Sequence, residues 1–164
     1  MKRIINKFRL IALCILLPFA GYATENQNMI AKFVITDASQ NGVDVTPTYL
    51  ENGAYIVFYS IENDNSLYMA NFFPKAETQS YGAVYSFENS TLEETAEQYK
   101  VDIFNFNWRY INTYDSKKGT AKVQVSKIYK PQGIGFVIKI IPENLDILIY
   151  KGYMDGTVDF SSYN

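Results

Sequence analysis

The chain has 164 residues, 48% apolar, 16% aromatic and 20% charged, which is enough for one domain with a sizeable core. It contains no His and one Cys, which excludes an imidazole base and ordinary His/Cys zinc or copper sites, so no cofactor or metal is expected. A formal net charge of −2 does not suit phosphate backbones or anionic lipid, so neither nucleic acid nor a membrane surface is an expected partner.

Residues 1–23 have the form of a signal peptide. Lys2, Arg3, Lys7 and Arg9 precede a short apolar run over 10–19, and Gly21-Tyr22-Ala23 places small residues before a cut at Ala23/Thr24. Leu13 before Cys14, and the apolar run continuing beyond it, argue against lipid attachment. Cleavage would leave residues 24–164 as a single cysteine-free domain, exported to the periplasm or the exterior. Four of the fifteen Lys and Arg would go with the signal and none of the seventeen Asp and Glu, leaving 11 against 17, a net charge of −6. Any catalysis would have to rest on carboxylates, Lys, Tyr or Ser.

The first expected strand is 29–36 (MIAKFVIT), followed by a loop closing at Asn41-Gly42 and a short extended piece over 43–45. Residues 46–50 read as one helical turn, with Thr46 as cap, Pro47 at the first helical position and Asn52-Gly53 as a left-handed stop. Strands are expected at 54–61, 67–73 and 81–87, the second ended by Pro74. Residues 90–98 (STLEETAEQ) read as a two-turn helix with a Thr91/Glu94 capping box.

Residues 100–130 read as a long hairpin. Phe104, Phe106, Trp108 and Tyr110 share one face, and Asn105, Asn107 and Arg109 the other. A four-residue loop at 115–118, with Gly119 left-handed, would pair Trp108 with Val125 and Tyr110 with Val123 and set Arg109 beside Gln124. A last hairpin joins 133–141 to 145–154. With Phe136, Ile138 and Ile140 inward beside Ile147 and Ile149, residues Val137, Leu148 and Tyr150 would face outward. That apolar outer face would need a cover: the short helix, the chain end around Val158 and Phe160, or another subunit.

About eight consecutive strands with short polar turns and one or two short helical turns predict an all-β antiparallel meander, closed or nearly closed into a barrel, with a β-sandwich as the alternative. The order of a strand, the turn Thr46-Pro47-Thr48-Tyr49-Leu50, and a meander ending near Lys151-Gly152-Tyr153 resembles the lipocalin-like (calycin) group of exported barrels over most of residues 29–154. That group carries Gly-x-Trp on its first strand. Here the single Trp is Trp108, so no binding residue is carried over. The resemblance implies a calyx for a small apolar molecule.

Arg109 could clamp a carboxylate or sulfate, or could simply sit on a solvated strand face. Glu93, Glu94, Glu97 and Asp102 could include a hydrolytic carboxylate pair, though an acidic helix start explains three of them. Glu62-Asn63-Asp64-Asn65 lacks the spacing of a calcium loop and reads as a polar turn. Tyr55, Tyr59, Tyr68, Tyr81, Tyr85, Tyr99, Tyr110 and Tyr129 could line a pocket, form a binding face or pack the sheet.

Three functional classes follow. The first is a non-catalytic exported binding protein holding a small apolar ligand inside a barrel, with Arg109, Asn105, Asn107, Gln124, Tyr110 and Tyr129 as ligand-binding candidates. The second is a cell-envelope interaction protein, a homodimer through Val137, Leu148 and Tyr150. The third is a carboxylate hydrolase, which would need two acids facing each other across a cleft.

Overall fold

A computed structural model describes residues 27–94, 99–143 and 146–163. The expected signal peptide, and positions 95–98 of the expected helix, lie outside the described residues. The strands are β1 (Gln27–Gln40), β2 (Val43–Asp44), β3 (Tyr55–Ile61), β4 (Asp64–Phe73), β5 (Thr78–Glu94), β6 (Tyr99–Asn112), β7 (Lys118–Lys130), β8 (Gly133–Pro142) and β9 (Leu148–Gly156). Among the described residues one α-helix, α1 (Thr46–Glu51), follows β2, and 3-10 turns occupy Pro74–Ala76 and Phe160–Tyr163. All pairings are antiparallel in the order β2-β1-β3-β4-β5-β6-β7-β8-β9, and β1 also pairs with β9. The sheet therefore closes on itself as an eight-stranded barrel with β2 as an extra strand, and the sandwich is excluded. Closure leaves no free edge along the barrel wall.

Alternation with period two puts Phe33, Ile56, Phe58, Met69, Val123, Val125, Ile138 and Ile140 inside, none more than 2% exposed. Two bulges re-aim this pattern. The register of β1 shifts between Ile35 and Asp37, bringing Ala38 inward. That of β5 shifts between Tyr85 and Glu88, where Ser86 is left-handed (φ 56°), and Phe87 then packs on Phe106 at 5.5 Å. Trp108 is 3% exposed, stacks near Tyr110 at 4.7 Å and donates its indole N–H to the Met69 carbonyl at 3.1 Å.

Five expectations are corrected. Residues 90–94 are strand, not helix. Thr91, Leu92 and Glu93 stand opposite Asp102, Val101 and Lys100, and these cross-strand partners outweigh a short helix's weak propensity. The β6–β7 register lies four residues from the expected one: Trp108 pairs with Ala121, Arg109 with Thr120, Tyr110 with Gly119, and Gln124 with Asn105. The face assignments survive because four is even. The left-handed turn residue is Ser116 (φ 57°), while Gly119 is a strand residue over which the Tyr110 ring lies, leaving no room for a Cβ. In the last hairpin Ile138 pairs with Tyr150 and Ile140 with Leu148, which turns Leu148 and Tyr150 inward and leaves Ile149 beside Lys139 on the outside. Finally, Thr46 is the first residue of α1 rather than its cap, and its own N–H is taken by the Asp44 carboxylate at 2.9 Å.

Each end of the barrel carries a stopper. At one end α1 inserts Tyr49, whose hydroxyl accepts from Tyr150 at 3.2 Å, and Asn71 donates to Tyr150 at 3.3 Å. This stopper is tied by backbone and side-chain bonds: Ala38 N–H to Thr46 Oγ1, Ala54 N–H to the Tyr49 carbonyl, and Lys75 N–H to the Asn52 carbonyl. At the other end the chain after β9 crosses the opening and drops Phe160 into it, 2% exposed.

Candidate functional site

The mid-barrel is filled by side chains, and the free space within the described wall lies at the Phe160 end. There an open cavity of about 500 Å³ lies between β6–β9 and the C-terminal segment. Its apolar walls are Phe104, Ile134, Phe136, Met154, Val158 and Phe160, and its polar lining is Asp102, Lys127, Thr157, Asp159 and Ser161. Ile134 is 48% and Tyr153 52% exposed at its rim, both large apolar groups held in water. Alternation places Phe104 with Asp102, and Ile134 with Phe136, on the inward faces, so the site follows directly from register.

Asp102 is the polar centre of this rim. Its carboxylate accepts from Thr91 Oγ1 at 2.9 Å and Tyr129 Oη at 2.8 Å, and pairs with the Lys100 ammonium at 3.2 Å. Partial desolvation acts to raise its pKa. The hydrogen bonds from Tyr129, Thr91 and Lys100, with the Lys100 charge, outweigh that and hold it below the usual carboxylate value. The Lys127 ammonium lies 5.1 Å from the Tyr129 ring centre, on the same face. The Asp102 oxygens are thus engaged by three donors, and Lys127 lies beside the Tyr129 ring at the edge of the cavity.

The six ligand-binding candidates from the sequence do not form one site. Asn105, Asn107 and Gln124 line a groove of about 430 Å³ on the outer wall, with Ser86, Glu88, Lys122 and Lys139. Within it the Gln124 amide donates to Asn105 Oδ1 at 3.0 Å, so two of the three satisfy each other as a cross-strand pair. Arg109 lies outside this groove, exposed, with its guanidinium 5.3 Å from the Tyr85 ring centre. Tyr110 is in the core beside Trp108. Tyr129 alone reaches the mouth, through Asp102.

Among the interface candidates, Val137 is on the outer wall opposite Lys151, Leu148 is half-buried inside, and Tyr150 is 0% exposed, so Tyr150 has no surface to offer a second subunit. Val158 and Phe160 cover the barrel's opening rather than its outer face. Of the remaining tyrosines with described side chains, Tyr55, Tyr59, Tyr68 and Tyr81 pack on the exterior of β3–β5, where Tyr55 stacks on Phe72 at 5.2 Å and Tyr59 on Tyr68 at 5.3 Å.

Sequence reasoning missed the mouth because its walls come from four strand ends and a terminal segment without periodicity. The signal that could have found it was Val158-Asp159-Phe160 beyond the last strand, apolar groups with no sheet partner of their own. Among the described residues no three His, Cys, Asp or Glu side chains converge as a metal site. No family model, curated protein or solved structure matches this chain.

Proposed function

We propose that the protein is an exported, non-catalytic binding protein that takes a small, mainly apolar molecule at the C-terminal mouth of its barrel. One observation carries the reading: a cavity of about 500 Å³, within the usual range for small-molecule sites, walled by Phe104, Ile134, Phe136, Met154 and Val158 and edged by Lys127 with Asp102 and Asp159. Apolar walls supply affinity by removing ligand surface from water, and the Lys127 ammonium selects an acceptor or anionic head. The expected class is therefore an apolar carboxylic acid or a similar amphiphile.

Native mass spectrometry of protein purified from its source, with calorimetric titration of fatty acids and aromatic carboxylic acids, tests the reading. The expected result is one saturable site, weakened at least tenfold by Ile134→Glu, a rim change that leaves the packed core alone. Absence of any co-purified molecule and of saturable binding across the panel would overturn the proposal.

A further inference from the structure

The C-terminal stopper is built unlike the helical one. Sheet pairing ends at Gly156, which is left-handed at φ +91° and so close to the Ile30 carbonyl that a Cβ would meet its oxygen at 2.6 Å. Beyond this point the hydrogen bonds described for residues 157–163 stay inside the segment: Ser161 N–H to Asp159 Oδ1 at 3.0 Å, Ser162 N–H to the Asp159 carbonyl at 3.2 Å, and Ser162 Oγ to the same carbonyl at 2.7 Å. Asp159, Ser161 and Ser162 are exposed. The segment is held to the barrel by side-chain packing: Tyr163 stacks on Phe87 at 5.8 Å, Val158 lies against the core and, most deeply, the ring of Phe160 is 2% exposed.

That ring has a seat made by the barrel. Phe160 lies 4.9 Å from the Phe104 ring centre, 5.2 Å edge-on from Phe58 and 5.9 Å, stacked, from Phe106. These are the separations aromatic pairs prefer. Phe104 and Phe160 are also walls of the mouth cavity, so a molecule entering the cavity meets Phe160 directly. A segment with its own internal hydrogen bonds can lift away without breaking any bond described between it and the barrel.

We infer that the seat formed by Phe58, Phe104 and Phe106 is an aromatic-ring subsite, that Phe160 is its intramolecular occupant, and that a ligand bearing an aromatic ring binds by displacing Phe160. The inference rests on the mouth as the ligand site and adds to it the ring preference and the self-blocking segment. Ligand affinity in the native chain is reduced by the cost of unseating Phe160, so removing that ring raises affinity.

The experiment is calorimetric titration of indole into the full-length protein and into Phe160→Ala, with near-ultraviolet circular dichroism as a check on folding. Phe160→Ala is expected to bind indole about 10- to 100-fold more tightly, the factor that burial of one phenyl ring commands. Tyr163→Ala removes the segment's stack on Phe87 at 5.8 Å while leaving the cavity lining, ring and seat intact. It is expected to bind indole more tightly than the native chain, and it decides the matter if Phe160→Ala does not fold. In the native chain, saturating indole is expected to speed chymotrypsin cleavage after Phe160, which is 2% exposed when seated. Unchanged indole affinity in the folded variants would overturn the plug while leaving the mouth as a site if fatty acids still bind. No binding of indole, fatty acids or aromatic acids by any of these proteins would overturn both.

Discussion

Trp108 carries more than one structural duty. It fills the barrel beside Tyr110, and its N–H supplies a hydrogen bond to the Met69 carbonyl two strands away in β4, a contact spanning 39 residues of sequence. Trp108→Phe removes both volume and donor, leaving a partly empty site and a buried carbonyl short of a partner. The expected loss is about 2–4 kcal/mol. It is measured as a drop in the urea midpoint at unchanged slope, followed by far-ultraviolet circular dichroism because the variant has lost the protein's only tryptophan. A midpoint within about 0.5 kcal/mol of the native protein, the range of ordinary surface changes, would show that the indole is not an anchor. Its inward direction was legible from alternation alone, because Phe104, Phe106, Trp108 and Tyr110 share a face that Asn105, Asn107 and Arg109 avoid. Its hydrogen-bond partner was not legible, since nothing in the sequence says which carbonyl two strands along the wall comes within reach.

The strands themselves make a sharper test than the core. At Gly152 in β9 a Cβ would stand 1.9 Å from the Val34 carbonyl oxygen, because β1 bulges there and the strands cross closely. Gly152→Ala must push two paired backbones apart. It is expected to cost about 1–3 kcal/mol, the usual range for overpacking, while Gly135→Ala in β8, whose nearest neighbour is the Lys130 ammonium at 3.9 Å, should stay within about 0.5 kcal/mol. Equal midpoints for the two variants would refute the crossing. Strand positions were largely readable, since the apolar and aromatic runs at 29–36, 54–61, 67–73, 81–87 and 133–141 all became strands. Register was less so. Turn chemistry pointed to Gly119 as the left-handed residue, whereas the chain uses Ser116, and that choice moved the hairpin by four residues. Over 90–94 the expected helix is strand instead, because its acidic first turn is equally good as a partner for Lys100 across a sheet.

Closing the sheet sorts the tyrosines into an interior set and an outer wall, and the whole molecule's response to alkali follows from that sorting. Burial pushes the Tyr150 hydroxyl well above its ordinary value, with the neighbouring Tyr49 adding to it, and burial with the nearby Tyr68 and Tyr81 pushes Tyr59 up to about 12. Burial likewise raises Tyr49, Tyr55 and Tyr110. In the unfolded chain every tyrosine ionises near pH 10 or so. The folded state therefore holds these protons more tightly than the unfolded state does. Their contribution to stability is complete below about pH 10 and is lost as pH rises toward 12 and beyond. Because Tyr59 and Tyr68 belong to the exterior of β3–β5 while Tyr49 and Tyr150 close the helical end, the loss comes from both surfaces of one closed wall, and unfolding should be a single transition. The check is a set of urea melts between pH 8 and 11.5, paired with absorbance at 295 nm. The expected outcome is a midpoint that is flat to about pH 10 and then falls, with a subset of tyrosines ionising only as the circular dichroism signal disappears. If all tyrosines ionise near pH 10 while the barrel stays folded, the rings are not buried as described, and the two-stoppered barrel is wrong at its helical end first.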